Sequence, residues 1–153
     1  MIEPSLEYVF EIRAEIAPDL HIGRGPEEKL SFTPVTGGTV HGPRLSGTVL
    51  SGGGDWAVER FGTAQLEARY LIKAADGAVI DILNRGYFRA TPEVWSRMEA
   101  GEDVPEDDPG LYFRTAPVFQ TDAPQHRWLA ESQFVGLARD EDGAVCIRVF
   151  LLT

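Results

Sequence analysis

Ten side chains in this sequence stand where chemistry could be done: Asp55, Trp56, Glu67, Arg69, Tyr70, Asn84, Arg85, Tyr112, Arg114 and Trp128. Each is polar or aromatic and falls inside, or at the end of, a stretch that reads as a β-strand. If Arg69 and Arg114 point into a barrel they need carboxylate partners or an anionic ligand, because a buried lone guanidinium is costly. Asp55 and Glu67 are the internal counterions at hand. Two arginines shared with two acids make a pocket with donors to spare for a small carboxylate. In that arrangement Tyr112 or Asp55 moves the proton and Trp56 and Trp128 form aromatic walls. Tyr70, Asn84 and Arg85 complete the binding surface. The competing readings are an outward surface pair for Glu67 and Arg69, of small energetic weight, and core positions for the tryptophans.

Other machinery is missing from the chain. His21, His41 and His126 are scattered, with no HExxH and no paired cysteine, so no zinc motif is present. A site of two histidines and one carboxylate assembled in space stays open. There is no G-x-S-x-G elbow, and Cys146 sits mid-strand as a small apolar filler. Gly52-Gly53-Gly54 leads into Asp55-Trp56 and a strand, without the lysine and helix of a phosphate loop. The chemistry that remains calls for no metal and no cofactor.

The elements that must position these residues are strands. Ala64–Arg89 reads as two long strands joined across Asp76-Gly77, a dipeptide suited to a tight hairpin turn. The first alternates Leu66, Ala68, Tyr70 and Ile72 with Gln65, Glu67, Arg69 and Lys73. The second is apolar on both faces through Val79, Ile80, Ile82 and Leu83, which marks it as central, and it delivers Asn84 and Arg85 to its end against Gly86. Leu6–Ile16 alternates so that Leu6, Tyr8, Phe10, Ile12, Ala14 and Ile16 share a face. Leu30–Val35, Arg44–Leu50 and Trp56–Phe61 follow as shorter strands, with a turn at Gly37-Gly38. Leu111–Thr121 carries Pro117, hence an edge or bent strand. Trp128–Ala138 and Ala144–Leu152 form a last hairpin over Asp140–Gly143.

One helix is expected, Thr91–Ala100, with Thr91 as N-cap, Pro92 at the first helical position and Gly101 ending it. Its stripe of Val94, Trp95 and Met98 plugs or covers the sheet, with the helix packed against an end or a side of the barrel. Many strands at short spacing with a single short helix point to an all-β fold, an antiparallel β-barrel in one domain spanning residues 1–153.

Composition narrows the partners. Net charge is −10, from 24 acids against 14 bases, which disfavours nucleic acid. Glu102, Asp103, Glu106, Asp107 and Asp108 concentrate in one loop, read as solvated. No apolar run is long enough to span a membrane, and the N-terminus lacks a signal-peptide pattern. A single cysteine permits no internal disulfide, and a cytoplasmic location is expected. The doubly apolar strand leaves an outer face that a second copy would cover, so a homo-oligomer is expected.

Four blocks carry a resemblance: Gly42–Trp56, Leu66–Gly86, Leu111–Thr121 and Trp128–Gly136. In order and spacing they resemble the family DUF3237, also called UPF0311, over nearly the whole chain. The resemblance implies a β-barrel of the calycin or allene-oxide-cyclase kind. It also implies cofactor-independent chemistry on small aromatic compounds, such as lyase action (decarboxylation) on phenolic acids. A barrel mouth that aims arginines at a carboxylate and holds a proton-transferring group would equally suit an isomerase for a small aromatic acid. The family's motif positions fall on Asp55, Trp56, Arg69, Tyr70, Asn84, Gly86, Tyr112, Phe113, Arg114 and Trp128. Ala130 departs from the pattern, which has Asn after Trp-Leu, and that puts the family's activity in question here. The rival class is a carrier or sensor barrel that binds a small molecule without converting it.

Overall fold

The computed structural model describes residues Met1–Thr153. Its strands are β1 (Leu6–Ile16), β2 (Leu20–His21), β3 (Lys29–His41), β4 (Gly47–Val49), β5 (Gly54–Arg60), β6 (Thr63–Ala74) and β7 (Val79–Ala90). Helix α1 (Pro92–Glu99) follows, then β8 (Leu111–Gln120). A 3₁₀ turn at Pro124–His126 runs into a short helix α2 (Arg127–Ala130), and β9 (Phe134–Glu141) and β10 (Ala144–Leu152) complete the chain. No helix is long and apolar enough to cross a membrane.

Every pairing in the sheet is antiparallel, and β1 pairs with β10 on one side and β3 on the other. That double pairing closes an eight-stranded barrel in which β4 and β5 share one position between β3 and β6. The seam requires a close approach: a Cβ on Gly38, which has φ +139°, would collide with the Arg13 carbonyl of β1. Gly37-Gly38 therefore does not end a strand; β3 bends through it and runs on to His41.

Inward positions follow the two-residue period, with one shift. The register of β1 slips between Tyr8 and Phe10, so Val9 and Phe10 are both fully buried while Leu6 and Tyr8 lie outside. The uniform alternation expected for Leu6–Ile16 fails at this bulge. Strand β7 also runs further than expected. Asn84 and Arg85 lie mid-strand, and Gly86 is paired with Thr115 rather than ending the strand. Pro117 is tolerated in β8 because β9 pairs there only at Arg114 and Thr115, so no ladder bond is asked of it on that side.

The two ends of the barrel differ. One is filled by Phe10, Phe119, Phe134 and Trp128, whose rings meet edge-on or tilted with centroids 5.2–6.5 Å apart. Trp128 belongs to α2, which plugs this end together with buried Leu129; the expected strand begins only at Phe134. Beside the plug, His126 Nε2 lies 2.7 Å from Asp76 Oδ2 of the β6–β7 turn. At the other end lies α1, capped by Thr91 Oγ1, which accepts from Val94 N.

The acidic loop after α1 is not a free tether. Val104 and Glu106 are buried, and Glu106 takes ion pairs from Arg148 and from Arg139, the latter at 3.3 Å. Arg114 donates to the Glu106 carbonyl at 3.2 Å. Arg97 pairs with Glu102 and Asp108. The loop is thereby fastened across the outside of β8, β9 and β10. Charge-assisted bonds to a buried carboxylate matter more than exposed pairs do. Glu106→Gln is expected to lower unfolding free energy by about 2 kcal/mol. Glu67→Gln, which breaks the exposed pair with Arg85, should cost under about 1 kcal/mol. Urea titration of both variants measures the contrast, and equal small losses would return Glu106 to a solvated loop.

Candidate functional site

The end of the barrel that carries α1 holds a cavity of about 510 Å³. Its walls are inward residues of every strand around the barrel: Ala14 and Ile16, Thr33 and Val35, Asp55 and Ala57, Leu66, Ala68 and Tyr70, Asn84 and Phe88, Phe113 and Thr115, Asp140, Val145 and Ile147. Trp95, Met98 and Glu99 of α1 stand over it, and Asp19 lies at its rim. Fifteen of the 23 lining residues are apolar, so the body of any ligand held here is apolar too. Of the two placements expected for α1, an end or a side of the barrel, the structure has the end, with Trp95 and Met98 over the mouth.

Register fixes where the polar groups lie. Asp55 is opposite Ala68, and Ala68 is opposite Asn84, so both polar side chains stand on one row with only a methyl between them. One row nearer the mouth, Thr115 is flanked by Gly86 and Gly136. A Cβ on Gly136 would strike the Thr115 hydroxyl, so that glycine makes room for it. Asn84, Tyr70 and Thr115 are buried, at 3%, 4% and 9% exposure. The Asn84 amide oxygen, the Tyr70 and Thr115 hydroxyls and Asp55 Oδ1 have no hydrogen-bond partner within the protein. Four such atoms on one cavity are unusual, because buried polar groups are nearly always satisfied.

Two carboxyls on this wall titrate far above the usual range. Burial raises Asp55 most, the Glu67 backbone lowers it, and the Asp140 charge raises it again, to about 7. Burial alone raises Asp140 to about 6. Asp140 is reached by solvent yet walled in by the mouth, so water touches it without hydrating it fully. Tyr70 is pushed well above the ordinary phenol range, first by burial and then by the Asp55 charge, so it stays a neutral hydrogen-bond donor. A carboxyl poised near neutrality in an apolar cavity can both take and return a proton.

The arginines expected at this site are elsewhere. Arg69 is 68% exposed on the outer face and pairs with Asp81 at 3.0 Å; Arg85, 66% exposed, pairs with Glu67 at 3.0 Å. Tyr112 is also outside, with the Arg89 guanidinium 3.9 Å from its ring centroid. Arg114 lies outside on the same strand and donates to the Phe113 and Glu106 carbonyls. The inner face of β8 is taken by Phe113, Thr115 and Phe119, and β8 runs in unbroken register against β7, so neighbouring residues face opposite sides. Trp56 is exposed against Phe32, and Trp128 packs in the plug under Arg44. Of the ten candidates the structure brings together Asp55, Tyr70 and Asn84. Asp140 and Thr115 were missed. The signal for Asp140 was the alternation Phe134, Gly136, Ala138, Asp140, which carries the inward face one step into what reads as a turn.

Comparison with known proteins bears on the whole chain. A family model described as "Protein of unknown function (DUF3237)" matches residues 4–152. A UPF0311 protein of Rhodopseudomonas palustris is 37% identical over 150 residues, covering 95% of this chain and 96% of that protein. A crystal structure of a conserved R. palustris protein superposes with a TM-score of 0.89 at 32% identity, over 100% of this chain and 99% of that one. A hydroalkoxylation enzyme of Penicillium herquei is 31% identical over 77 residues, half of this chain and 52% of that protein. A solved enzyme from the same fungus shares the fold, with a TM-score of 0.76 at 21% identity over 100% of this chain and 97% of that one.

The raised carboxyl has a consequence for stability. Asp55 ionises near 3.8 in its ordinary state and near 7 in the fold. Between those values the folded protein holds a proton that the unfolded chain has released, so stability falls as pH rises through the window. Asp140 acts in the same direction up to about 6. Asp55→Asn removes its share of this loss. Its melting temperature relative to wild type should therefore climb between about pH 4 and about pH 7 and level off above that. A difference that stays flat over that range would return Asp55 to an ordinary carboxylate.

Proposed function

The chain belongs to the DUF3237 family, and from that premise we propose that it is a barrel enzyme moving a proton on a small, largely apolar aromatic molecule, with Asp55 as the proton-transferring group. The observation that carries this is Asp55 itself: a carboxyl near neutrality on an apolar wall, coupled to Asp140, with Tyr70 and Asn84 facing the same cavity. The reaction class is lyase or isomerase. The acid part of the expected substrate is not carried forward, because Arg69 and Arg114, which were to hold its carboxylate, face outward.

Addition of a hydroxyl across a carbon–carbon double bond illustrates the step. Asp55 takes the proton as the O–H bond gives way, the oxygen bonds to one carbon as the π bond breaks, and a proton returned from the acid form completes a C–H bond at the other. Nothing is oxidised or reduced. Tyr70, held neutral, donates to a substrate oxygen, and the apolar wall keeps water from competing. The half-length likeness to an enzyme named for hydroalkoxylation supports this class of step.

The test is turnover of a panel of alkenyl phenols, followed by mass spectrometry, with Asp55→Asn alongside. Loss of a general acid–base group is expected to slow conversion by about 10²- to 10⁴-fold. The wild-type rate should show an inflection near the Asp55 value of about 7. Saturable binding without conversion by the wild type would make the barrel a carrier instead, and an unslowed Asp55→Asn variant would remove Asp55 from the chemistry.

A further inference from the structure

The cavity's charge is one-sided. Its ionisable acids are Asp55 and Asp140 on the wall and Asp19 and Glu99 at the rim, and no Lys, Arg or His lines it. The arginines nearest in sequence, Arg69, Arg85, Arg114 and Arg139, are committed to partners on the outer face. A carboxylate with a buried oxygen, as Asp55 has at Oδ1, is normally paired with a cation or a metal, and Asp140 stands at the mouth within reach of solvent. Here no side chain of the protein supplies one to Asp55 or Asp140.

Acidity alone would not identify a ligand. A second, independent feature does: Asn84 and Tyr70, at 3% and 4% exposure, line the same cavity, and their oxygens have no partner within the protein. The Asn84 amide oxygen can only accept, so it calls for an N–H or O–H donor, while the Tyr70 hydroxyl can accept from such a donor as well as give its own proton. Above them Phe88 sits edge-on to Phe113 at 5.3 Å and against Trp95 at 5.9 Å, and such rings also favour a cation over an anion.

We propose that the cavity takes a ligand whose apolar, ring-sized body carries a protonated amine, held between Asp55 and Asp140 with the Asn84 oxygen as a further acceptor. This rests on the reading of the cavity as the ligand site. An ammonium there relieves the repulsion between the two carboxylates and keeps Asp55 in its basic form, whereas a carboxylate would add a further negative charge to a cavity holding only acids. The rim acids Asp19 and Glu99 bias entry in the same direction.

Three matched probes separate the possibilities: naphthylethylamine, naphthylethanol and naphthylacetate, titrated by calorimetry and by melting temperature near neutral pH. The amine is expected to bind about tenfold or more tighter than the alcohol, with the acetate weakest. Its binding should release protons, read as a dependence of the apparent heat on the buffer's ionisation enthalpy. Asp140→Asn should erase most of the amine's advantage. Asp107→Asn, an exposed acid in the loop after α1, should leave it intact, which excludes attraction to the protein's overall −10 charge. Equal affinity for all three probes, preference for the acetate, or an advantage that survives Asp140→Asn overturns the amine assignment and leaves the cavity a ligand site. Absence of binding by any probe overturns both.

Discussion

Strand β1 pairs with β10 on one flank and with β3 on the other, and the whole molecule depends on that double ladder. Without it the sheet would have two unsatisfied edges. With it, every strand gains a fixed inside and outside, and each residue's role follows from which side it takes. The demand is met locally by a register slip at Tyr8/Phe10 and by Gly38, which lets two backbones meet where no Cβ would fit.

Closure makes inward space scarce, and the chain divides it in two. Toward α2 the interior is packed with large rings, so that end is solid. Toward α1 the inward residues shrink to Ala14, Ala57, Ala68 and Gly136, and a cavity opens where a core would otherwise continue. Stability and site thus come from one surface: the aromatic plug contributes burial, and the small residues give up burial for volume. The unpartnered polar atoms on the cavity wall carry a cost that the plug and the ladders must offset.

The outer face is where the chain keeps its cations. Arg69, Arg85, Arg139 and Arg148 all find carboxylates there, two of them on the single buried Glu106. That division explains how a strongly acidic protein retains 14 basic residues while its cavity has none. The loop after α1 is fastened to this outer network, and α1 stands over the mouth, so the cavity's roof is anchored through charges that never enter the cavity.

Much of this architecture is written in local pattern. The strands, the Asp76-Gly77 hairpin, the Thr91-capped helix and the barrel class follow from two-residue alternation and turn chemistry, which depend on neighbours in sequence. Asp55, Tyr70 and Asn84 were also visible as polar or aromatic residues inside strands. What pattern leaves open is sidedness where both faces of a strand carry polar or aromatic groups, as β6 and β8 do. Arg69 and Arg114 read equally well in either direction, and only cross-strand partners, Asp81 for one and the Glu106 carbonyl for the other, place them outside. The same holds for Asp140, whose raised carboxyl arises from walls contributed by strands distant in sequence. Alternation is a property of the chain, but hydration and pairing are properties of the closed barrel, and those decided which residues form the site.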